Sequence, residues 1–213
     1  MSERTDAIRR SYDTVADEYA RRIAGELADK PLDRALLDAF AELVRDRGTV
    51  ADIGCGPGHV GRYLSDRGVQ VVGVDLSTEM VRVARTLNPD MEFRQGSMLA
   101  LDVPDGSWAG IVTFYSIIHI APPDLPRVFA EFHRVLAPSG LALLAFHLGT
   151  EPIHLDEWWG HAVDVDTHLL QREDVERLLT ETGFAVEAHL EREPNTAVEH
   201  PSRRGYVLAR RNS

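Results

Sequence analysis

From residue 49 onward, short apolar segments alternate with segments of helical periodicity. The apolar segments, which we interpret as strands, are residues 49–53, 69–74, 91–95, 109–116, 141–148, 184–191 and 205–211. Most are separated by predicted helices of about 10–14 residues, and this alternation is typical of βαβ units in a mostly parallel sheet. No helix is predicted between the last two strands, so we expect the last strand to be antiparallel. The sequence therefore predicts an α/β fold with one seven-stranded sheet and helices on both faces.

Two segments lie outside this alternation. Residues 5–24 place apolar side chains, including Tyr12 and Tyr19, at steps of three and four, which predicts an amphipathic helix. With a second predicted helix at 32–48, residues 1–48 are expected to form an N-terminal helical cap. Residues 149–170 show no clean period and follow the fifth strand, at the end of the sheet where ligands bind in open α/β folds. We expect them to be a substrate-side insertion or lid in a single domain spanning residues 1–213.

The composition argues against several classes of partner. The net charge is −11, and an acidic surface repels a phosphate backbone, so binding to nucleic acid is not expected. The single cysteine, Cys55, excludes an intrachain disulfide. The N-terminal sequence MSERTDAIRR has no apolar signal region, and no run of about 18 apolar residues is present. We expect a cytoplasmic protein, monomer or homodimer, that does not bind a membrane.

The stretch 50-VADIGCGPGHVGRYL-64 places four glycines between a predicted strand and a predicted helix. Read from Gly56, GPGHVG matches the G-x-G-x-x-G pattern of dinucleotide-binding loops, and Asp75 follows 19 residues later. However, Asp52 is expected at the strand tip, where a carboxylate facing the ligand would repel a pyrophosphate. The loop therefore favours a ligand without phosphate and with positive charge. S-adenosylmethionine (SAM), with an ammonium and a sulfonium, is such a ligand.

The same stretch closely resembles motif I of the class I SAM-dependent methyltransferases, in their small-molecule branch. Four further segments resemble this family in the order of its motifs: 12-YDTVADEYA-20, 71-VVGVDLS-77, 96-GSMLALDVPDGSWAGIVTFYSIIHI-120 and 132-FHRVLAPSGLALLAF-146. The resemblance covers most of the chain, and five matches in the right order are more specific than any one of them. It implies a Rossmann-like fold and an enzyme that uses SAM and releases S-adenosylhomocysteine (SAH).

The resemblance also assigns cofactor-binding residues position by position. Those expected to hold the methionyl group are Asp52, Gly54, Gly56 and Gly58, and Asp75 is expected to bind the ribose hydroxyls. Those expected around the adenine are Leu76 and Met80 on one face and Ser97 and Met98 at the edge. Those expected near the sulfonium are Tyr115 and Ser116, with Tyr12 and Tyr19 closing the cap. Many family members carry an acid at the position of Ser97, and a hydroxyl accepts the adenine amine less strongly.

The residues that act on the methyl acceptor are less constrained by the sequence. Methyl transfer is an in-line displacement, and a base is needed only if the acceptor must lose a proton. His119 follows the fourth strand and His147 lies near the end of the fifth, so both are candidate catalytic residues. Trp158 and Trp159 are candidates for an aromatic wall over the substrate. A metal site among the histidines and acids of residues 147–168 is an alternative, although packed or solvated histidines are commoner.

Two other functions remain open from the sequence. The GPGHVG match and Asp75 also fit a nicotinamide-dependent oxidoreductase. The second alternative is a methyltransferase-like protein without catalysis, which binds SAM as a sensor or partner subunit. We favour transfer of a methyl group to a small-molecule acceptor, for which a secondary metabolite is one candidate.

Overall fold

The computed structural model describes residues 3–212, so residues 1, 2 and 213 of the predicted domain lie outside it. The α-helices are α1 (Glu3–Ile23), α2 (Pro31–Val44), α3 (His59–Ser65), α4 (Thr78–Leu87), α5 (Leu125–Val135) and α6 (Arg172–Glu181). The strands are β1 (Val50–Ile53), β2 (Val71–Asp75), β3 (Glu92–Gln95), β4 (Trp108–Phe114), β5 (Leu136–Leu148), β6 (Ile153–Trp158), β7 (His161–Thr167), β8 (Phe184–Arg192) and β9 (Arg203–Arg211). Short 3₁₀ turns lie at Glu26–Asp29, Ile117–His119 and Pro122–Asp124.

Seven strands form the main sheet, in the order β3-β2-β1-β4-β5-β9-β8. Strands β1 to β5 pair in parallel, and β9 is antiparallel to both of its neighbours. The predicted α/β, Rossmann-like fold with an antiparallel last strand is confirmed. From β1 the chain builds outward to β2 and β3, and it then returns to place β4 on the other side of β1. The strand order therefore reverses between β1 and β4, and ligands bind at the carboxyl ends of strands at such a point.

The central strands of the main sheet are buried on both faces because they are mostly apolar. On β5, Leu141 and Leu143 pack in the cluster that includes side chains of α2 and α3. Ala142 and Leu144 alternate with them and pack in the cluster that includes side chains of α5 and α6. β5 begins at Leu136, earlier than predicted, because the chain pairs with β4 before the 138-PSG-140 bend. None of the helices within residues 3–212 is both long and apolar enough to cross a membrane.

Residues 149–170, for which the sequence shows no period, contain the β-hairpin β6–β7. Trp158 pairs with His161 around a two-residue turn, Trp159-Gly160, in which both residues have positive φ, 54° and 82°. A type I′ hairpin turn requires such backbone angles at both positions. A register shift in β6 before Glu157 interrupts the strand alternation, which explains why the period is not recognisable in the sequence.

The hairpin is attached to helix α1. Ser11 of α1 accepts a hydrogen bond from Asp164 N at 2.8 Å. Arg4 forms an ion pair with Asp166 of β7. Helix α1 is in turn tied to α4, because the Asp13 carboxylate accepts hydrogen bonds from the Ser77 hydroxyl and Glu79 N. These contacts place α1 and the hairpin together over the carboxyl ends of the central strands.

Candidate functional site

A cavity of about 440 Å³ lies at the carboxyl ends of β1, β2, β4 and β5, between the sheet, α1 and the hairpin. Of the 17 residues that the sequence assigns to the site, 14 line it: Tyr12, Tyr19, Gly54, Gly56, Asp75, Leu76, Ser97, Met98, Tyr115, Ser116, His119, His147, Trp158 and Trp159. These residues come from segments that are distant along the chain. The fold therefore gathers the motifs around one space.

Asp52, Gly58 and Met80 are not among the residues that line this cavity, and their assignment to the cofactor stays a prediction. The Asp52 carboxylate points to α3, where Oδ2 accepts a hydrogen bond from Gly61 N at 2.9 Å. A Cβ at Gly58 would lie 2.7 Å from the Phe93 ring, so this glycine permits packing behind the loop. Met80 is buried in the cluster to which Tyr12 and Tyr19 belong.

The loop after β1 contains three glycines with positive φ, of which Gly54 and Gly56 line the cavity. Gly54 has a φ of 72°, and a Cβ there would collide with the Ser116 side chain. Gly56 has a φ of 51°, and its Cβ position lies 3.7 Å from Cε1 of Tyr19. Since Gly56 lines the cavity, its missing side chain leaves space for a ligand to approach the backbone.

Asp75, at the end of β2, is fixed by the loops that it joins. Its Oδ2 accepts a hydrogen bond from Gly56 N and its Oδ1 accepts one from Ser77 N, both at 2.8 Å. Burial raises the pKa of Asp75 to about 6, although the two backbone hydrogen bonds oppose this effect. Each carboxylate oxygen retains a lone pair. The group can therefore accept two further hydrogen bonds from adjacent hydroxyls in the cavity.

His119 is part of a hydrogen-bonded chain across the top of the cavity. Its Nδ1 lies 2.9 Å from the Asp166 carbonyl oxygen, and its Nε2 lies 2.6 Å from the Tyr12 hydroxyl. Because a carbonyl can only accept, Nδ1 carries the proton and Nε2 accepts from Tyr12. Burial, with a smaller contribution from His168, lowers the pKa of His119 to about 4, while burial raises the pKa of the Tyr12 phenol. His119 is therefore neutral at pH 7, and Tyr12 occupies the nitrogen that could act as a base.

Four aromatic side chains form the roof of the cavity. The Trp158 ring lies 5.6 Å from that of Tyr12 and 5.5 Å from that of Tyr19, in edge-to-face geometry. The Trp159 ring lies 4.8 Å from that of Trp158. The contacts of Trp158 with Tyr12 and Tyr19 join the hairpin to α1, and the ring distances are those of favourable aromatic contacts.

His147 lies away from His119, at the end of β5. Its Nδ1 is 2.7 Å from the Ser202 hydroxyl. Burial, followed by the nearby Arg204 charge, lowers the pKa of His147 to about 3. Of the other histidines considered for a metal site, His154 is bound to Asp166 outside the cavity. Within the described part of the chain, no group of three or more histidine, cysteine or acidic side chains is arranged to hold a metal ion.

The sequence interpretation missed a charged group at the side of the cavity. Lys30 Nζ donates to Glu26 at 2.7 Å, and His59 Nε2 lies 3.1 Å from the other Glu26 oxygen. Burial would raise the pKa of Glu26, but the hydrogen bonds and charges of His59 and Lys30 outweigh it and lower this pKa to about 2. All three line the cavity. No local sequence pattern indicates this group. Glu26 and Lys30 meet His59 only because the 3₁₀ turn at Glu26–Asp29 packs beside the glycine loop.

Comparisons with known proteins find methyltransferases. Residues 50–140 match the family model described as "Methyltransferase domain". The chain is 35% identical over 150 residues to a trans-aconitate 2-methyltransferase of Azoarcus sp., which covers 67% of this chain and 52% of that protein. It is 29% identical over 178 residues to a malonyl-[acyl-carrier protein] O-methyltransferase of Pseudescherichia vulneris, covering 80% and 67%. This chain thus spans about half the length of curated relatives such as the trans-aconitate 2-methyltransferase.

The solved structures show the same fold. A SAM-dependent methyltransferase of Methanosarcina mazei superposes with a TM-score of 0.70 at 19% identity, covering 77% of this chain and 92% of that one. At this identity the likeness concerns the fold alone. The family match runs from β1 to the first residues of β5 and includes the loops after β1, β2 and β4, which line part of the cavity.

Proposed function

We propose that this chain, which belongs by its matched domain and its fold to the class I SAM-dependent methyltransferases, transfers a methyl group from SAM to a small-molecule acceptor. The observation that carries the proposal is the joint position of Gly56 and Asp75. The glycine leaves its Cβ space to the cavity, and its N–H anchors the carboxylate that is expected to bind the ribose. This geometry fits a nucleoside whose methionyl tail follows the glycine loop.

The residues around the cavity fit SAM along its length. Asp75 offers two lone pairs to the ribose hydroxyls, and Leu76, Ser97 and Met98 stand beside it for the adenine. Tyr115 and Ser116, after β4, stand where the sulfonium is expected. When bound, SAM supplies an electrophilic methyl group on sulfur. The protein supplies position, because α1 and the hairpin cover the cavity and hold donor and acceptor close together.

A small acceptor is favoured because α1 and the hairpin cover the cavity. The hairpin residues Ile153, Leu155 and Trp158 face it, which leaves space for a compact ligand. Relatives of this chain are named for trans-aconitate and for malonyl-acyl-carrier protein. The assignment of His119 as a general base stays a prediction, since its Nε2 binds Tyr12.

Ligand binding tests the proposal directly. SAM or SAH at about 100 times its Kd is expected to stabilise the protein by about 2.7 kcal/mol, whereas NAD(H) is expected to have no effect. Gly56→Val is expected to abolish the SAH-dependent rise in Tm, because its side chain fills ligand space. Gly68→Val is the control, since Gly68 has a similarly positive φ of 80° but stands in open space outside the cavity. Stabilisation by NAD(H) instead of SAH would favour the oxidoreductase.

Turnover separates an enzyme from a SAM-binding protein without catalysis. We expect the protein to convert SAM to SAH when a small-molecule extract is added, and to form products heavier by one methylene group. An extract that yields no SAH above the rate without protein, while SAH still binds, would favour the non-catalytic function.

A further inference from the structure

The end of the cavity beyond β4 is walled by a buried guanidinium. Arg204, on β9, pairs across the sheet with His147 on β5, is 2% exposed and lines the cavity. Its Cζ lies 5.5 Å from the centre of the Tyr115 ring. A cation therefore stands in the wall next to the side where the acceptor is expected.

Neutral groups hold this guanidinium in place. Nη1 donates to the carbonyl and hydroxyl oxygens of Ser202, and Nη2 donates to the His200 carbonyl. Nε has no hydrogen-bond partner among residues 3–212. The three neutral acceptors fix the position of the charge, and a buried N–H without an acceptor is energetically costly.

The nearest carboxylate binds another cation. Glu199 Oε1 lies 3.9 Å from Arg204 Nε, which is too far for a hydrogen bond. Both oxygens of Glu199 accept hydrogen bonds from Arg192 at 2.7 Å. Lys30, which also lines the cavity, donates to Glu26. Within the described residues, Arg204 is thus a cavity-lining cation to which no carboxylate is hydrogen-bonded.

The strand that carries Arg204 is not adjacent to the strand that leads into the glycine loop. Gly54 and Gly56 follow β1, and β4 and β5 lie between β1 and β9. At about 4.8 Å per strand spacing, three spacings separate β9 from β1 by roughly 14 Å. The guanidinium therefore belongs to the acceptor half of the cavity.

A carboxylate acceptor agrees with the state of His119. An oxygen lone pair of the carboxylate forms a bond to the methyl carbon while the C–S bond of the sulfonium breaks and its electron pair stays on sulfur. The products are a methyl ester and a thioether, and no proton moves. Such a reaction needs no general base, and the Nε2 of His119 is already bound to the Tyr12 hydroxyl.

The hairpin contributes an apolar wall to the same cavity, with Ile153, Leu155 and Val165 among its lining residues. A ligand that contacts both this wall and Arg204 needs an apolar body and an anionic end. Building on the proposed methyltransferase function, we propose that the acceptor is a small apolar carboxylic acid, bound through its carboxylate at Arg204 and converted to its methyl ester.

Binding to the SAH-loaded protein tests this inference with matched probes. Phenylacetate and octanoate are compared with phenylacetamide and octanamide, which have the same apolar bodies without the charge. We expect at least one carboxylate to bind about tenfold or more tightly than its amide, as expected for a hydrogen bond to a charged group. In parallel, SAM with a labelled methyl group is incubated with a small-molecule extract of bacterial cells. We expect the transferred label to be released as methanol by mild alkali, as from an ester.

Two variants locate the effect. Arg204→Gln is expected to remove the preference for the carboxylate while leaving SAH affinity within about threefold of wild type. Arg203→Gln is the control, because Arg203 is exposed on the same strand and pairs with Glu191. If Arg204→Gln does not fold, the comparison of carboxylate and amide on the wild-type protein decides alone.

The outcomes separate this inference from the proposed function. If no carboxylate binds better than its amide, if the label is stable to alkali, or if Arg204→Gln weakens SAH binding as much as acid binding, the carboxylate inference is overturned. In each of these cases, SAH binding and turnover would still support the methyltransferase. Absence of SAH binding would overturn both.

Discussion

Asp75 links the glycine loop, helix α4 and the expected ribose position through one carboxylate. Gly56 N and Ser77 N each donate to it, so the side chain is oriented before a ligand arrives. Its burial makes the charged form costly without a partner, and ribose hydroxyls would supply partners. His119 differs from Asp75 in this respect, because each of its two ring nitrogens is already engaged in a hydrogen bond with a group of the protein.

The pKa of Asp75, raised to about 6 by burial, predicts a pH dependence of SAM binding. The ionised carboxylate is the better acceptor for ribose hydroxyls, so affinity is expected to fall as the pH drops below about 6. One unit below this pKa the Kd is expected to be about tenfold higher. Calorimetric titrations of SAM binding between pH 5 and pH 8 measure this pH dependence. Asp75→Asn should bind about 1.5–3 kcal/mol more weakly at pH 8 and lose most of the pH dependence; an unchanged profile would contradict the ribose role.

His119→Ala tests whether the imidazole acts as a base. Since Nε2 accepts from Tyr12 and the pKa is about 4, we expect kcat with the natural acceptor to fall less than about tenfold. We also expect Tm to fall, because the contacts to Tyr12 and Asp166 are lost. Tyr12→Phe, which removes only the hydroxyl, is the matched variant. A loss of about 10²-fold or more in His119→Ala, with Tm and SAM affinity unchanged, would instead identify a general base and contradict a carboxylate acceptor.

At the scale of elements, helix α1 and the hairpin β6–β7 form a cover that is separate from the main sheet. The hairpin is a two-stranded sheet of its own, and such a unit is marginally stable unless it packs against something else. Its attachment to α1 includes the hydrogen bond of Ser11 with Asp164, the ion pair of Arg4 with Asp166 and the aromatic contacts of Trp158.

Trp158→Ala is expected to loosen this cover. Removing the ring deletes its contacts with Tyr12 and Tyr19, each worth about 0.5–1.5 kcal/mol beyond area burial. We expect faster amide hydrogen exchange in residues 153–167 and weaker SAH binding, with little change in exchange in β1, β4 and β5. His161→Ala, at the exposed end of the hairpin and outside the cavity, is the control. Equal exchange in the two variants would show that the aromatic contacts do not hold the hairpin.

At the scale of the whole molecule, a buried polar network joins the N-terminal helices to the last strands. Asp33 of α2 is fully buried. Its carboxylate accepts hydrogen bonds from Arg192 at 2.7 Å and from Tyr115 and Tyr206 at 3.0 Å. Tyr115 and the cavity wall around it therefore depend on a residue that is itself outside the cavity.

Asp33→Ala is expected to lower the free energy of unfolding by about 1–3 kcal/mol, because Arg192, Tyr115 and Tyr206 lose the carboxylate that accepts a hydrogen bond from each of them. Asp38→Ala, on the same helix, is the control. Asp38 pairs with Arg67 at the surface, where such pairs contribute about 1 kcal/mol or less. Urea unfolding of both variants measures the difference. A loss below about 1 kcal/mol in Asp33→Ala would show that the network contributes little to stability.

Much of the architecture was accessible from the sequence because it depends on local patterns. Apolar strands separated by amphipathic helices dictate a parallel sheet. The start of α4 is also fixed locally, because the Ser77 hydroxyl caps the helix by accepting a hydrogen bond from Met80 N. The hairpin was not recognisable, since a register shift breaks the alternation of β6. The direction of the Asp52 side chain could not be predicted from the sequence either, because it depends on the position of helix α3, whose Gly61 N donates a hydrogen bond to the carboxylate.

The sequence by itself therefore determined the α/β sheet, its antiparallel last strand and the glycine loop with Asp75, because short-range periodicity and backbone freedom decide these features. The tertiary structure alone decided which side chains share the cavity. It turned Asp52 toward Gly61, joined Tyr12 to His119, and brought Glu26, Lys30 and Arg204 to the same cavity. These contacts join residues far apart along the chain, and only packing of the complete fold determines which buried charges and hydrogen-bonding groups find partners.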